Sequence, residues 1–175
     1  MRTRGFTLLE LLCVLSIAAI LVGLATPSWR PSLAAASVRA AASQALSGLA
    51  LARRTALATG HAVTLCLTAD LTRCDLSGRE WMLFSNEDGG SLGRREPGEN
   101  LLRRWPLPRD VRVAGSRDYA WYLPQPRAAA TVTLEFCHPG APAARRSVIV
   151  SQTGRPRVSS PGLPSNREDP RQTCP

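Results

Sequence analysis

Arg155 and Arg157 stand two positions apart behind a glycine, in Gly154-Arg155-Pro156-Arg157. In extended backbone, alternate side chains face the same way, so this spacing would aim two guanidinium groups in one direction. A planar guanidinium offers paired donors that match phosphate oxygens, and the chemistry available here is therefore anion binding. The glycine permits a tight turn after the strand expected over 146–151. Arg145 and Arg146 sit at the start of that strand, and Arg167 and Arg171 follow in the C-terminal stretch, so these four could widen the same basic patch. The bland reading is that arginine-rich loops are usually solvated surface and that four residues make a short pattern. The balance of the whole chain bears on this choice. Its 175 residues carry 22 basic groups, all of them arginine, against 13 acidic ones, for a net charge of +9. A GC-rich genome would explain the preference for arginine. It would not explain the positive excess, which favours a polyanionic partner such as nucleic acid, anionic lipid or acidic polysaccharide.

A second residue with chemistry is Glu10, a carboxylate inside the apolar run Phe6–Ala25. Twenty residues at about 1.5 Å each match the roughly 30 Å hydrocarbon core, so the run predicts a membrane-spanning helix. The short basic Met1-Arg2-Thr3-Arg4 before it keeps the N-terminus cytoplasmic and sends the rest outward. An acid at that depth costs about 2.5 to 3.5 kcal/mol on insertion scales and needs a partner. Neither an ordinary secretory signal nor a plain anchor requires one, and no small-residue cleavage site directly follows the run.

Of five cysteines, Cys13 lies within the apolar run and reads as a small hydrophobe. The other four read as two disulfides in an oxidising compartment, Cys66 with Cys74 around a short loop and Cys137 with Cys174 returning the C-terminus to the body. Zinc is the competing reading, but the C-x2-C knuckles of structural sites are absent and only His61 and His138 could supplement the thiols. Asn86-Glu87-Asp88-Gly89-Gly90 lacks the spaced ligands and closing Glu of a calcium loop and reads as a turn. No Ser, His and carboxylate are spaced as a triad, so we expect no enzyme, no metal and no cofactor. Trp81, Trp105, Tyr119, Trp121 and Tyr122 could stack on bases, but with so few aromatics most should be core.

These residues must be positioned by a helix and a β domain. Pro27 and Pro31 should kink or break the helix, and the alanine-rich stretch from Leu33 to Ala58 should restore it. Val38, Ala42, Ala45, Leu46, Leu49, Ala52 and Ala56 form its apolar stripe, Arg39, Arg53 and Arg54 lie off it, and Gly60 should end it. Beyond Gly60 the pattern is all-β, with strands expected near 62–67, 80–85, 100–105, 111–114, 119–123, 131–136 and 146–151. Residues 85–97 should form a polar hairpin tip.

Gly5-Phe6-Thr7-Leu8-Leu9-Glu10-Leu11-Leu12 resembles the prepilin signal of type IV pilins and type II secretion pseudopilins. The resemblance implies that a prepilin peptidase cuts after Gly5 and methylates the new N-terminus at Phe6. Glu10, one turn on, would then neutralise the amine of an adjacent subunit during assembly. Val63-Thr64-Leu65-Cys66, Trp81 to Gly89, Val132 to Gly140 and Arg146 to Arg157 resemble the GspH/FimT family of minor pilins and pseudopilins. That family implies an α+β pilin-like fold, with a long N-terminal helix, transmembrane in its first half, packed on an antiparallel β-sandwich. It implies a leader at 1–5, an assembly helix at 6–26, its periplasmic half at 27–59, a β domain at 60–158 and a tail at 159–175 tied back by a disulfide. It also implies a single-pass inner-membrane protein with a periplasmic domain that later joins a surface fibre of other pilin subunits. Within the family, a Gly-Arg-x-Arg loop is associated with the FimT branch, implicated in DNA capture during natural transformation. The resemblance thus implies that Gly154, Arg155 and Arg157 hold DNA backbone with little sequence preference. The alternative is a structural pseudopilin of a type II secretion pseudopilus.

Overall fold

The computed structural model describes residues 7–25, 29–87, 89–125 and 129–159. The chain divides into two units, Met1–Leu33 and Ala34–Pro175. Within the first lies helix α1 (Leu8–Ala25). Thr7 precedes it and accepts the Glu10 N–H on its hydroxyl at 3.3 Å. Thr-x-x-Glu is a helix-start signature, and a first-turn acid suits the positive end of the helix dipole. Glu10 therefore has a local role in addition to the one its apolar surroundings suggest. The large apolar side chains of α1, among them Leu8, Leu15 and Ile20, are more than half exposed. Among the described residues, no helix is long and apolar enough to cross a membrane. The 18 residues of α1 reach about 27 Å against a core of about 30 Å, and Phe6, where the expected span begins, lies outside the described residues.

Helix α2 (Trp29–Thr59) begins earlier than the prolines suggest. Pro31 falls in its first turn, where the missing N–H has no intrahelical acceptor to lose, so it neither breaks nor kinks the helix there. Pro27 lies outside the described residues. The expected stripe is buried at Val38, Ala42, Ala45, Leu49, Ala52 and Ala56, joined by Ala34, Ala41 and Gly48, while Leu46 is half-buried. Gly60 ends the helix in the left-handed region, and its N–H reaches the Ala56 carbonyl at 3.1 Å.

Among the described residues, eight strands follow: β1 (Ala62–Thr68), β2 (Glu80–Asn86), β3 (Leu101–Pro106), β4 (Arg112–Gly115), β5 (Tyr119–Tyr122), β6 (Val132–His138), β7 (Ala141–Val150) and β8 (Pro156–Ser159). They form two antiparallel sheets, ordered β3-β2-β1-β5 and β4-β6-β7-β8. Seven strands lie where the sequence places them, although β7 starts five residues early. The eighth, β8, is a correction: Arg-Pro-Arg is not wholly loop, because Pro156 opens an edge strand, one of the few sheet positions where a missing N–H is tolerated.

One apolar core joins α2 from Ala34 onward to both sheets. Val63, Leu65, Leu67, Trp81 and Leu83 face it from the first sheet, and Val132, Leu134, Phe136, Val148 and Val150 from the second. Trp81 bridges the sheets, stacking on Trp105 at 6.1 Å and lying 6.3 Å from Phe136. A smaller cluster of Cys66, Cys74, Met82 and Phe84 sits on the other side of the first sheet, where Cys66 and Cys74 are disulfide-bonded as expected. The β2–β3 connection is closed at its base by Glu87, whose carboxylate accepts from Ser85 and Asn100 at 2.9 Å each.

Candidate nucleic-acid interface

The turn that presents Arg155 begins where β7 leaves the core. The Gly154 N–H returns to the Ser151 carbonyl at 2.8 Å, and the Ser151 N–H reaches the Arg155 carbonyl at 3.4 Å. Gly154 has φ +71°, the left-handed residue that a three-residue hairpin loop with a bulge requires. Its lack of a side chain matters twice. A Cβ there would lie 3.2 Å from both the Tyr122 ring and the Ala129 methyl. Gly154→Ala is therefore expected to cost about 1 to 2 kcal/mol in a denaturant titration, through left-handed strain and crowding against the Tyr122 ring.

Beyond the turn, β8 pairs with β7 so that Pro156 opposes Val150 and Arg157 opposes Ile149. Val148 and Val150 point into the core, so the alternate positions point away from it. Arg157 shares that outward face with Ile149, and Arg155, opposite Ser151, follows the same alternation. Both arginines are exposed, and neither guanidinium makes a hydrogen bond or ion pair among the described residues. Their Cα atoms are separated by about 6.6 Å of strand rise, against about 3.4 Å per phosphate along one strand of duplex DNA.

Arg145 and Arg146 are divided by the same alternation. Arg145 opposes Cys137 and Arg146 opposes Phe136. Arg145 thus shares the outward face with Arg157, where it lies 3.6 Å from Glu135 and donates to the Pro142 carbonyl at 3.0 Å. Arg146 has the parity of the core-facing residues and buries one terminal nitrogen without a partner among the described residues. The expectation that both extend one patch is corrected to Arg145 alone. Arg167, Arg171, Cys174, Gly5 and Phe6 lie outside the described residues. Cys137 is buried and disulfide-bonded.

Beneath the turn, the Tyr122 hydroxyl is buried and has no partner among the described residues. Burial pushes the phenol up to about 12, against the Arg53 guanidinium, which pulls it down. An unfolded phenol ionises near pH 10, so stability held below that pH falls as pH rises from about 10 towards 12. Urea midpoints at pH 8 and pH 11 are expected to show a fall that Tyr122→Phe reduces.

Tyr122 and Trp81 are core, as the sparse aromatics suggest, and Trp105 and Trp121 are partly covered. The His138 imidazole lies 3.7 Å from Asp110 and accepts the Gly140 N–H, which ties it to its own turn. Among the described residues, no three His, Cys, Asp or Glu side chains come together as a metal site.

A long helix laid on antiparallel sheets, with an N-terminal apolar helix before it, defines a type IV pilin-like subunit. The family model described as Type II transport protein GspH matches residues 41–154, and the chain belongs to that family. A prokaryotic N-terminal methylation motif matches residues 1–26, which implies leader processing and assembly into a fibre. The protein is thus a minor type IV pilin or pseudopilin of GspH type, a family of structural subunits. The fold is similar to that of the type IV minor pilin FimU of Pseudomonas aeruginosa, at 17% identity and a TM-score of 0.54, over 70% of this chain and 88% of FimU. It is equally similar to the minor pseudopilin EpsH of the Vibrio cholerae type 2 secretion system, at 14% identity and a TM-score of 0.54, over 73% of this chain and 99% of EpsH. No curated protein matches the chain.

Proposed function

We propose that this subunit is a DNA-binding minor type IV pilin of the FimT branch, which holds DNA backbone for uptake during natural transformation. The observation that carries the reading is the pair Arg155 and Arg157, exposed, without acidic partners among the described residues and aimed to one side by a glycine-pinned hairpin. Two such groups can each donate a charge-assisted pair of hydrogen bonds to phosphate. Because backbone phosphates carry no base identity, binding is largely independent of sequence. Arg167 and Arg171 add to the site if the Cys137 disulfide brings the tail to this face.

The assembly end follows from the N-terminal motif. A prepilin peptidase cuts after Gly5 and methylates Phe6, and Glu10 neutralises that amine on a neighbouring subunit. Before assembly the apolar run anchors the protein in the inner membrane with its β domain in the periplasm; afterwards the subunit sits in a surface fibre. FimU and EpsH match this fold equally well, so the fold does not separate pilus from secretion pseudopilus. A deletion strain separates them: loss of transformation with normal protein secretion is the expected result, and the reverse outcome assigns the chain to secretion. The binding claim itself is tested by a mobility shift of the full chain in detergent with duplex DNA at two salt concentrations.

A further inference from the structure

The register of the second sheet carries the basic surface beyond the hairpin. Arg112 on β4, Cys137 on β6 and Arg145 on β7 oppose one another in a single row across three strands. Direct cross-strand partners share a face, so Arg112 and Arg145 rise on either side of Cys137. That face is the one turned away from the main core, because Val113, Phe136 and Val148, of opposite parity, pack into it; between the two arginines Cys137 and Ala114 are themselves buried as a small cluster, so the charged heads reach past a covered centre. Arg157 lies on the same face beside Ile149, four residues along β7 from Arg145, which is about 13 Å of strand. Arg145 and Arg112 are two strand spacings apart, about 10 Å.

Arg155, Arg157, Arg145 and Arg112 therefore form a diagonal of four arginines across one sheet face. Arg112 is exposed, and its guanidinium makes no hydrogen bond or ion pair among the described residues. The acid that interrupts the diagonal is Glu135, which opposes Ser147 on the same face and takes part of the Arg145 charge at 3.6 Å. The arginines of the other sheet are engaged differently: Arg104 lies 3.7 Å from Glu80, and Arg103 lies over the Trp105 ring.

We infer that DNA runs from the hairpin obliquely across the outward face of the β4-β6-β7-β8 sheet, with Arg112 as its far phosphate contact and Glu135 as a restraint on affinity. This rests on the DNA-binding reading and extends its site from a loop to a sheet face. A polyanion fits because the face pairs spaced guanidiniums with few acids, and the row spacings exceed what one small anion can bridge.

The test uses the full chain in detergent and a labelled random-sequence 30-base-pair duplex, with affinity measured by anisotropy at several salt concentrations. Arg112→Gln is expected to weaken binding about fivefold at low salt and to lower the salt slope by about 0.9, the contribution of one phosphate. Glu135→Gln is expected to tighten binding about threefold, because a negative charge near the path is lost and Arg145 is released. Arg104→Gln, on the other sheet, should leave binding unchanged, and thermal midpoints check that every variant folds. Unchanged affinity and slope for Arg112→Gln, while replacement of Arg155 and Arg157 still weakens binding, overturns the path and leaves the hairpin site standing. Absence of binding by the unaltered chain at low salt overturns the DNA reading and the path together.

Discussion

Replacing Arg155 and Arg157 together with Gln is expected to weaken DNA binding by about 30- to 100-fold at low salt. Each guanidinium contributes a charge-assisted contact, worth about 1.5 kcal/mol at the lower end of the usual range because both side chains are exposed. About 1.4 kcal/mol is tenfold in affinity, so two independent contacts come to slightly more than about 100-fold, and coupling between such close neighbours reduces the product. The loss should be the same for unrelated DNA sequences, since phosphate contacts carry no base identity. Folding should be untouched, because neither side chain makes a contact that the hairpin needs: the turn is held by Gly154, the Ser151 backbone and the ring beneath. A thermal midpoint equal to that of the parent chain, with affinity lost, distinguishes a binding site from a folding defect.

The largest effect on stability is expected at Trp81. Its ring is 1% exposed and touches both sheets through Trp105 and Phe136. Truncation to Ala removes the apolar contact between the layers and leaves a cavity that the packed sheets cannot fully collapse, which costs about 3 to 5 kcal/mol. Against an ordinary domain stability of about 5 to 15 kcal/mol, that is enough to populate the unfolded state. Trp81→Phe should be much milder than its loss of volume suggests. The indole N–H is buried without a partner among the described residues, and removing it relieves a desolvation cost of about 1 to 3 kcal/mol. Equilibrium denaturation of the two variants gives the comparison. A Phe variant as damaged as the Ala variant would show that ring size, not the stranded N–H, dominates at this position.

The elements that sequence places well are those whose physics is periodic. The α2 stripe from Val38 to Ala56 repeats at helical spacing, and β6 alternates buried and half-buried residues from Val132 to Phe136. Whether a proline interrupts an element depends on where its missing N–H falls, which is why Pro31 does not break α2 as expected. Pro31 sits in a first helical turn and Pro156 at the head of an edge strand, the two places where an absent N–H costs least.

The candidate site was legible in part. Gly154, Arg155 and Arg157 are contiguous, and their same-sided display follows from period-two alternation alone. Arg145 and Arg146 are contiguous too, and the same alternation, applied to a strand, sends them to opposite faces. Arg112 gave no local signal, because its place in the row depends on which strand β6 pairs with on its far side and in what register. Pairing between distant segments is set by the shared core and not by any short motif. The capping of α1 by Thr7 was present in the sequence as Thr-x-x-Glu, and was masked by the more conspicuous presence of an acid among apolar residues.

The central claim, that an arginine pair on a pilin hairpin holds DNA by its phosphates, is tested most directly by the salt dependence of duplex binding. Affinity of the full chain and of the Arg155→Gln/Arg157→Gln variant is measured from low to physiological salt, and log affinity is plotted against log salt. Two phosphates fewer should flatten the variant's slope by about 1.8 relative to the parent. Two parallel lines would contradict the account, because they would show that neither arginine displaces a counterion from DNA.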